Sequence, residues 1–228
     1  KPVVLIAVDN CGVPSHVTRA VLSDLSESHG ITSSHLVISS THTHNAPALR
    51  SYAPIVWAGR TTAEQEERVD RYTLWLTDQL IKTAQSALDK RQPASLSWGQ
   101  GIVEFGGNRR VLNNGKWAGF GFQYDGPVDH SLPVMVAKNE NGDAFAVWTN
   151  YACHCTTVGS RNHIGGDWAG NANLEIEDAI PGVVALTTIG CGADVGPQPS
   201  GNMQIAKEHG KTIAAEVSRL LSEELIEL

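Results

Sequence analysis

Apolar positions along this chain switch between a helical period and a strand period, and the switches mark the elements. Val3–Asp9 is a continuous, largely β-branched run that ends in Asp9-Asn10-Cys11-Gly12, as a buried strand does when it runs into a loop. Ser15–His29 carries Val17, Val21, Leu22 and Leu25 at helical spacing, with Gly30 as a stop. Leu36–Ser40 reads as a second buried strand, so the first 40 residues predict a right-handed strand–helix–strand unit with parallel strands. Tyr52–Arg60 reads as a loop. Thr62–Lys90 is a long helical pattern through Val69, Tyr72, Leu76, Leu80, Ala84 and Leu88, closed by Pro93. The period then drops to two. Ser95–Phe105, Leu132–Lys138 and Ala144–Tyr151 predict strands, with Asn141-Gly142 as a hairpin turn. Gly115–Gly126 predicts a hairpin or a loop over a site. Asp167–Ile180 predicts a short helix, Val183–Ile189 a strand and Ser200–Glu224 a closing amphipathic helix. The order implies one α/β domain over residues 1–228. Its mixed, partly parallel sheet is flanked by helices, and the site is expected in loops at the carboxyl ends of strands.

Composition narrows the function. The 228 residues carry 17 basic and 24 acidic side chains, a net charge of 17 − 24 = −7, which disfavours a nucleic-acid or polybasic membrane role. The longest fully apolar run, Val3–Val8, is far short of the ~20 residues that span a membrane, so no transmembrane segment is expected. Four cysteines are too few for a disulfide scaffold, and Cys153 and Cys155 lack the CxxC spacing of zinc ribbons. The chain opens at Lys1-Pro2 directly into a strand, which reads as a fragment of a longer parent.

Candidate chemistry gathers where strands run out. Thr41-His42-Thr43-His44 follows a buried strand. In extended backbone the two rings would face one way, with Cα atoms ~7 Å apart. They could share a metal, divide metal binding and proton handling, or simply finish a strand as polar loop residues. His154 follows the strand that ends at Tyr151 and, if extended, faces away from Cys153 and Cys155. Asp9, Asp167 and Asp194 sit at three further strand ends rich in glycine. Asp167 could cap the next helix, and Asp194 could bind a metal, support a histidine or serve a turn. Arg109 in Gly107-Asn108-Arg109-Arg110 could anchor an oxyanion or carboxylate, or stay solvated. No P-loop, GxGxxG after a strand, GxSxG elbow or HExxH occurs.

Four segments in order, Ile38–Pro47, Gly107–Arg110, Asn150–His154 and Gly165–Asp167, resemble the N-terminal catalytic domain of the neutral/alkaline non-lysosomal ceramidases, which are zinc-dependent amidases. The resemblance implies that His42 and His154 bind Zn²⁺. It further implies that His44 meets substrate or the developing oxyanion and that Arg109 is an active-site arginine. The family completes its metal site with a glutamate and a tyrosine further along the chain, which would fall beyond Leu228. Ceramidases carry a serine where this chain has Gly196, which suggests a ceramidase-like bacterial branch whose substrate need not be ceramide. The expected function is therefore hydrolysis of a lipid or small-molecule amide by metal-activated water. The parent would be secreted or periplasmic. Two alternatives stand beside it: a binding domain that keeps the fold without the chemistry, and an ester or phosphoester hydrolase using Asp9, Asp167 and Asp194 with the histidines.

Overall fold

The computed structural model describes residues 2–57 and 59–228. Strand β1 (Val4–Val8) leads through helix α1 (Ser15–His29) to β2 (Leu36–Ser40), and the two strands pair in parallel from Val4 against Leu36 to Val8 against Ser40. Helix α1 ends at Gly30, whose φ of 66° lets its N–H close back on Leu25 and Ser26. A one-turn helix, α2 (Pro54–Trp57), lies inside the stretch read as a loop. Pro54 opens it, the position where its fixed φ suits a helix start; Ala58 falls outside the described residues. Helix α3 (Ala63–Asp89) begins with a capping box, in which Thr62 and Gln65 satisfy each other's backbone N–H.

The larger sheet is built from β3 (Ser95–Ile102), β7 (Ser131–Lys138), β8 (Ala144–Tyr151) and β9 (Val184–Ile189). Strands β3, β7 and β8 are antiparallel neighbours, and β8 pairs in parallel with β9. The sheet is mixed, as expected. Between β3 and β7 the chain forms β4 (Gly106–Asn108) and a hairpin of β5 (Arg110–Asn113) and β6 (Lys116–Phe120). The strand expected over Ser95–Phe105 therefore stops at Ile102. The chain turns there because Val103 and Phe105 are buried and their backbone groups bond His130 and Gln198 instead. Helix α4 (Asp167–Ala179) precedes β9, and β10 (Val195–Pro197) pairs antiparallel with β4. Helix α5 (Met203–Leu221) stops before Glu224. The tail after the expected helix ends as β11 (Ile226–Glu227) on the free edge of β3, with Leu225 folded over Gly99.

Two apolar clusters hold the fold. In one, α4 and α5 pack together and against the sheet, and Trp168, Ile176, Ile213 and Val217 meet Leu132, Val134, Val136 and Tyr151. In the other, α1 and α3 close on β1 through Val17, Val21, Leu25, Leu76 and Leu80. Strands β1 and β2 both touch β9. The carboxyl ends of β1, β2 and β8 thus supply the chemical residues, and β4–β10 forms a platform beside them.

Candidate active site

Three histidine rings from two separate segments converge. The His42 centroid lies 5.0 Å from that of His44 and 4.8 Å from that of His154, and His44 lies 5.9 Å from His154. The backbone after β2 is not extended. His42 has a left-handed φ of 59°, so the rings do not meet by strand alternation. That conformation, uncommon for a residue with a Cβ, turns the ring toward the end of β1, where Nδ1 donates to the Cys11 carbonyl at 2.6 Å. His154 is buried and donates its Nδ1–H to the Gly192 carbonyl, also at 2.6 Å. Both rings are thus fixed in one tautomer with Nε2 left as the outward nitrogen, the arrangement that metal-ligating histidines use.

Arg109 lies between β4 and β5. Its Nε and Nη2 donate to the Ala193 carbonyl at 3.2 and 2.9 Å, and Nη2 also donates to His154 Nε2 at 2.9 Å. The Phe120 ring sits 5.1 Å from the guanidinium. His44 is the most exposed of the three histidines. Burial, followed by the positive field of Arg109 and the other histidines, pushes His154 down to about 4, so it is neutral at pH 7 despite its bond to Gly192. A bond with Cys11 raises His42 above its ordinary value, against the effect of burial.

The three carboxylates take different positions. Asp9 accepts from Thr41 Oγ1 at 2.9 Å and lies against the start of α4, where a Cβ on Gly166 would come within 2.3 Å of Oδ2. Solvent reaches this recess, while the surrounding protein raises the Asp9 pKa above the usual carboxylate range. Asp167 is buried with φ 54°, and it takes three backbone N–H groups: Thr157 at 3.1 Å, Val158 at 2.9 Å and Trp168 at 2.7 Å. It does not reach the histidine rings through these bonds; it secures the loop after His154. Trp168 adds to this by donating Nε1–H to the His154 carbonyl at 2.9 Å. Asp194 supplies its backbone carbonyl to the Arg109 N–H at 2.8 Å.

Cys11 was not singled out by sequence reasoning. Its Sγ lies 3.8 Å from His42 Nδ1, and donor atoms of Cys11, His42 and His44 all lie within 4.8 Å of one another. Burial opposes ionisation of this thiol, but bonds from His42, His44 and Tyr52 outweigh it and bring the pKa to about 5. The only signal in the sequence was its place at a strand end, in Asp9-Asn10-Cys11-Gly12. Cys153 and Cys155 are fully buried free thiols whose pKa values burial pushes up, so both are inert packing residues.

Residues 1–210 match the family model described as neutral/alkaline non-lysosomal ceramidase, N-terminal. The chain belongs to this ceramidase family. Among curated relatives, neutral ceramidase A of Dictyostelium discoideum is 26% identical over 198 residues, covering 82% of this chain and 26% of that protein. Neutral ceramidase B of the same organism is 27% identical over 193 residues, covering 78% and 25%. The chain thus spans about a quarter of the length of these ceramidases. A crystal structure of the neutral ceramidase from Pseudomonas aeruginosa shares the fold with a TM-score of 0.79 at 19% identity, covering 99% of this chain and 38% of that one. A ceramidase complexed with C2 gives the same TM-score at 18% identity, covering 99% and 37%. Membership of this ceramidase family supports a hydrolase, and the mixed α/β fold is that of the solved ceramidases.

Proposed function

We propose that this chain carries part of the catalytic site of a zinc-dependent hydrolase acting on an N-acyl amide, with ceramide or a related lipid amide as substrate class. The observation that carries the reading is the matched pinning of His42 and His154, each by Nδ1 to a backbone carbonyl at 2.6 Å, on rings 4.8 Å apart. Two imidazoles offering Nε2, with a thiol beside them, suit a borderline-soft cation such as zinc rather than magnesium or calcium. A zinc ion held by His42 and His154 would acidify water and polarise the scissile carbonyl.

The remaining roles fall to the chain itself. Arg109 keeps its guanidinium on Ala193 and would tilt from His154 Nε2 toward a developing oxyanion. His44, nearest to solvent, would share that oxyanion. Asp167 and Trp168 fix the loop that carries His154, and Asp9 holds Thr41 beside His42. Gly196 has no side chain to act as nucleophile, which favours direct attack by water over an acyl-enzyme. A recess of about 650 Å³ is bordered by Ala48, Tyr52, Trp57 and Gln65, and Tyr52, which also bonds the Cys11 carbonyl, is its link to the histidine site. The polypeptide that carries this chain should release fatty acid from an N-acylsphingosine, lose that activity on chelation and regain it with zinc. Hydrolysis that survives complete metal removal, or preference for a phosphate ester, would overturn the reading.

A further inference from the structure

Each carbonyl that pins a histidine ring takes a second donor as well. The Gly192 carbonyl, bonded by His154 Nδ1–H at 2.6 Å, also accepts the Val195 N–H at 3.2 Å. The Cys11 carbonyl, bonded by His42 Nδ1–H at 2.6 Å, also accepts the Tyr52 hydroxyl at 3.1 Å. A carbonyl oxygen has two lone pairs, so both oxygens are fully engaged. The second donors differ in kind. Val195 offers backbone from β10, whereas Tyr52 offers a side chain from the stretch that follows His44. Cys11 lies beyond Val8, where the β1–β2 pairing ends, so these two bonds and not a sheet hold its peptide plane.

We propose that Tyr52 is a positioning residue for His42. Its hydroxyl steadies the Cys11 carbonyl, the carbonyl holds Nδ1–H, and Nε2 is thereby aimed into the site. The inference rests on the reading of His42 as a zinc ligand and adds the outer residue that keeps this ring in place. Partners one step behind a ligating histidine fix its tautomer and direction. His42 has particular need of one, because its φ of 59° places it outside any strand that would set the ring. Packing brings the hydroxyl to a defined point. Tyr52 N–H donates to the carbonyl of buried Leu49 at 3.0 Å, and its ring packs against the α1–α3 cluster. The ring also lies over Gly12, where a Cβ would come within 2.2 Å of it. Buried Asn10 ties the same two loops, donating to the Pro47 carbonyl at 3.1 Å and accepting the Gly12 N–H at 3.3 Å. The hydroxyl lies 3.4 Å from Cys11 Sγ, the longer of its two contacts.

Tyr52→Phe keeps the ring over Gly12 and removes only the hydroxyl. Proton NMR of the metal-stripped polypeptide that carries this chain, with isotope-labelled histidine, reads each ring N–H directly, and the His42 line is assigned by its loss in His42→Gln. In Tyr52→Phe the His42 Nδ1–H line should move upfield and exchange faster with solvent, while the His154 line, backed by Val195, stays in place. Zinc affinity should fall by about 10–100-fold, with the melting temperature lowered by no more than about 4 °C. An unmoved His42 line, or a zinc affinity equal to wild type, would overturn the role of Tyr52 and leave the histidine centre standing. A His154 line that moves as far as the His42 line would mean a general loosening of the fold and would overturn it too. If the wild-type protein takes up no zinc, the metal reading fails, and the His42 line still decides whether Tyr52 positions this ring.

Discussion

Replacing Asp167 with asparagine tests whether this carboxylate holds the His154 loop. The side chain is buried and accepts from the N–H groups of Thr157, Val158 and Trp168 at 3.1, 2.9 and 2.7 Å. In Asp167→Asn one oxygen can keep two of these donors, but the amide nitrogen then faces the Val158 N–H. A buried donor left unpaired costs about 1–3 kcal/mol, and two charge-assisted bonds become ordinary ones at a further loss of about 0.5–1 kcal/mol each. The neutral amide also sheds the desolvation cost of a buried charge, which trims the total to a net loss of about 2 kcal/mol. For a chain of this length that lowers Tm by about 4–8 °C. Urea denaturation followed by fluorescence, with a thermal melt beside it, reads both quantities. Asp167→Ala, which abandons all three donors, should lose more than Asp167→Asn. An asparagine variant within about 0.5 kcal/mol of wild type, or an alanine variant more stable than it, would show that the carboxylate does not secure this loop.

Gly196→Ala should cost less than about 1 kcal/mol, since its Cβ would meet Arg109 Cδ at 3.4 Å. Gly192→Ala should cost more than about 2 kcal/mol, because its Cβ would come within 2.5 Å of the Cys153 backbone nitrogen; equal stabilities in a denaturation comparison would sink this packing argument. His209 stacks on Phe105 at 4.2 Å and bonds the Pro199 carbonyl at 2.8 Å, and burial holds its pKa below the ordinary 6.5. Its share of stability is therefore complete above pH 6.5 and is lost as pH falls through the lower folded value. His209→Gln should flatten the fall in unfolding free energy below pH 6.5, and an unaltered slope would count against it. His44→Ala should cut turnover of an N-acyl substrate by about 10²–10³ while zinc content stays unchanged, because it removes an oxyanion donor and no pinned ligand. Unchanged turnover would remove His44 from the chemistry.

Elements whose hydrophobic period is long were legible from the sequence. Most periodic positions of α1 and α3 are buried, Val17, Val21 and Leu25 in the first and Leu76, Leu80, Ala84 and Leu88 in the second, and the capping residues Thr62 and Gly30 sit where the pattern begins or ends. The β4–β10 pair was not legible. Each strand has three residues, and the pair depends on glycines instead of an apolar alternation: a Cβ on Gly106 would meet Tyr151 Oη at 2.7 Å, and one on Gly107 would meet Phe122 at 2.1 Å. That platform is what presents Arg109 to His154. The histidines were legible as strand-end residues, but the way they meet was not, because it depends on the positive φ of His42 and not on alternation along an extended chain. Cys11 escaped notice because its partners, His42 and Tyr52, lie 31 and 41 residues away and only the fold brings them together.

Anomalous diffraction at the zinc edge, from crystals grown with one equivalent of zinc, tests the central claim most directly. One strong peak is expected about 2.0–2.1 Å from Nε2 of both His42 and His154, with both Nδ1 atoms still on the carbonyls of Cys11 and Gly192. A peak elsewhere, a metal bound through either Nδ1, or no peak at full zinc occupancy of the solution would contradict it.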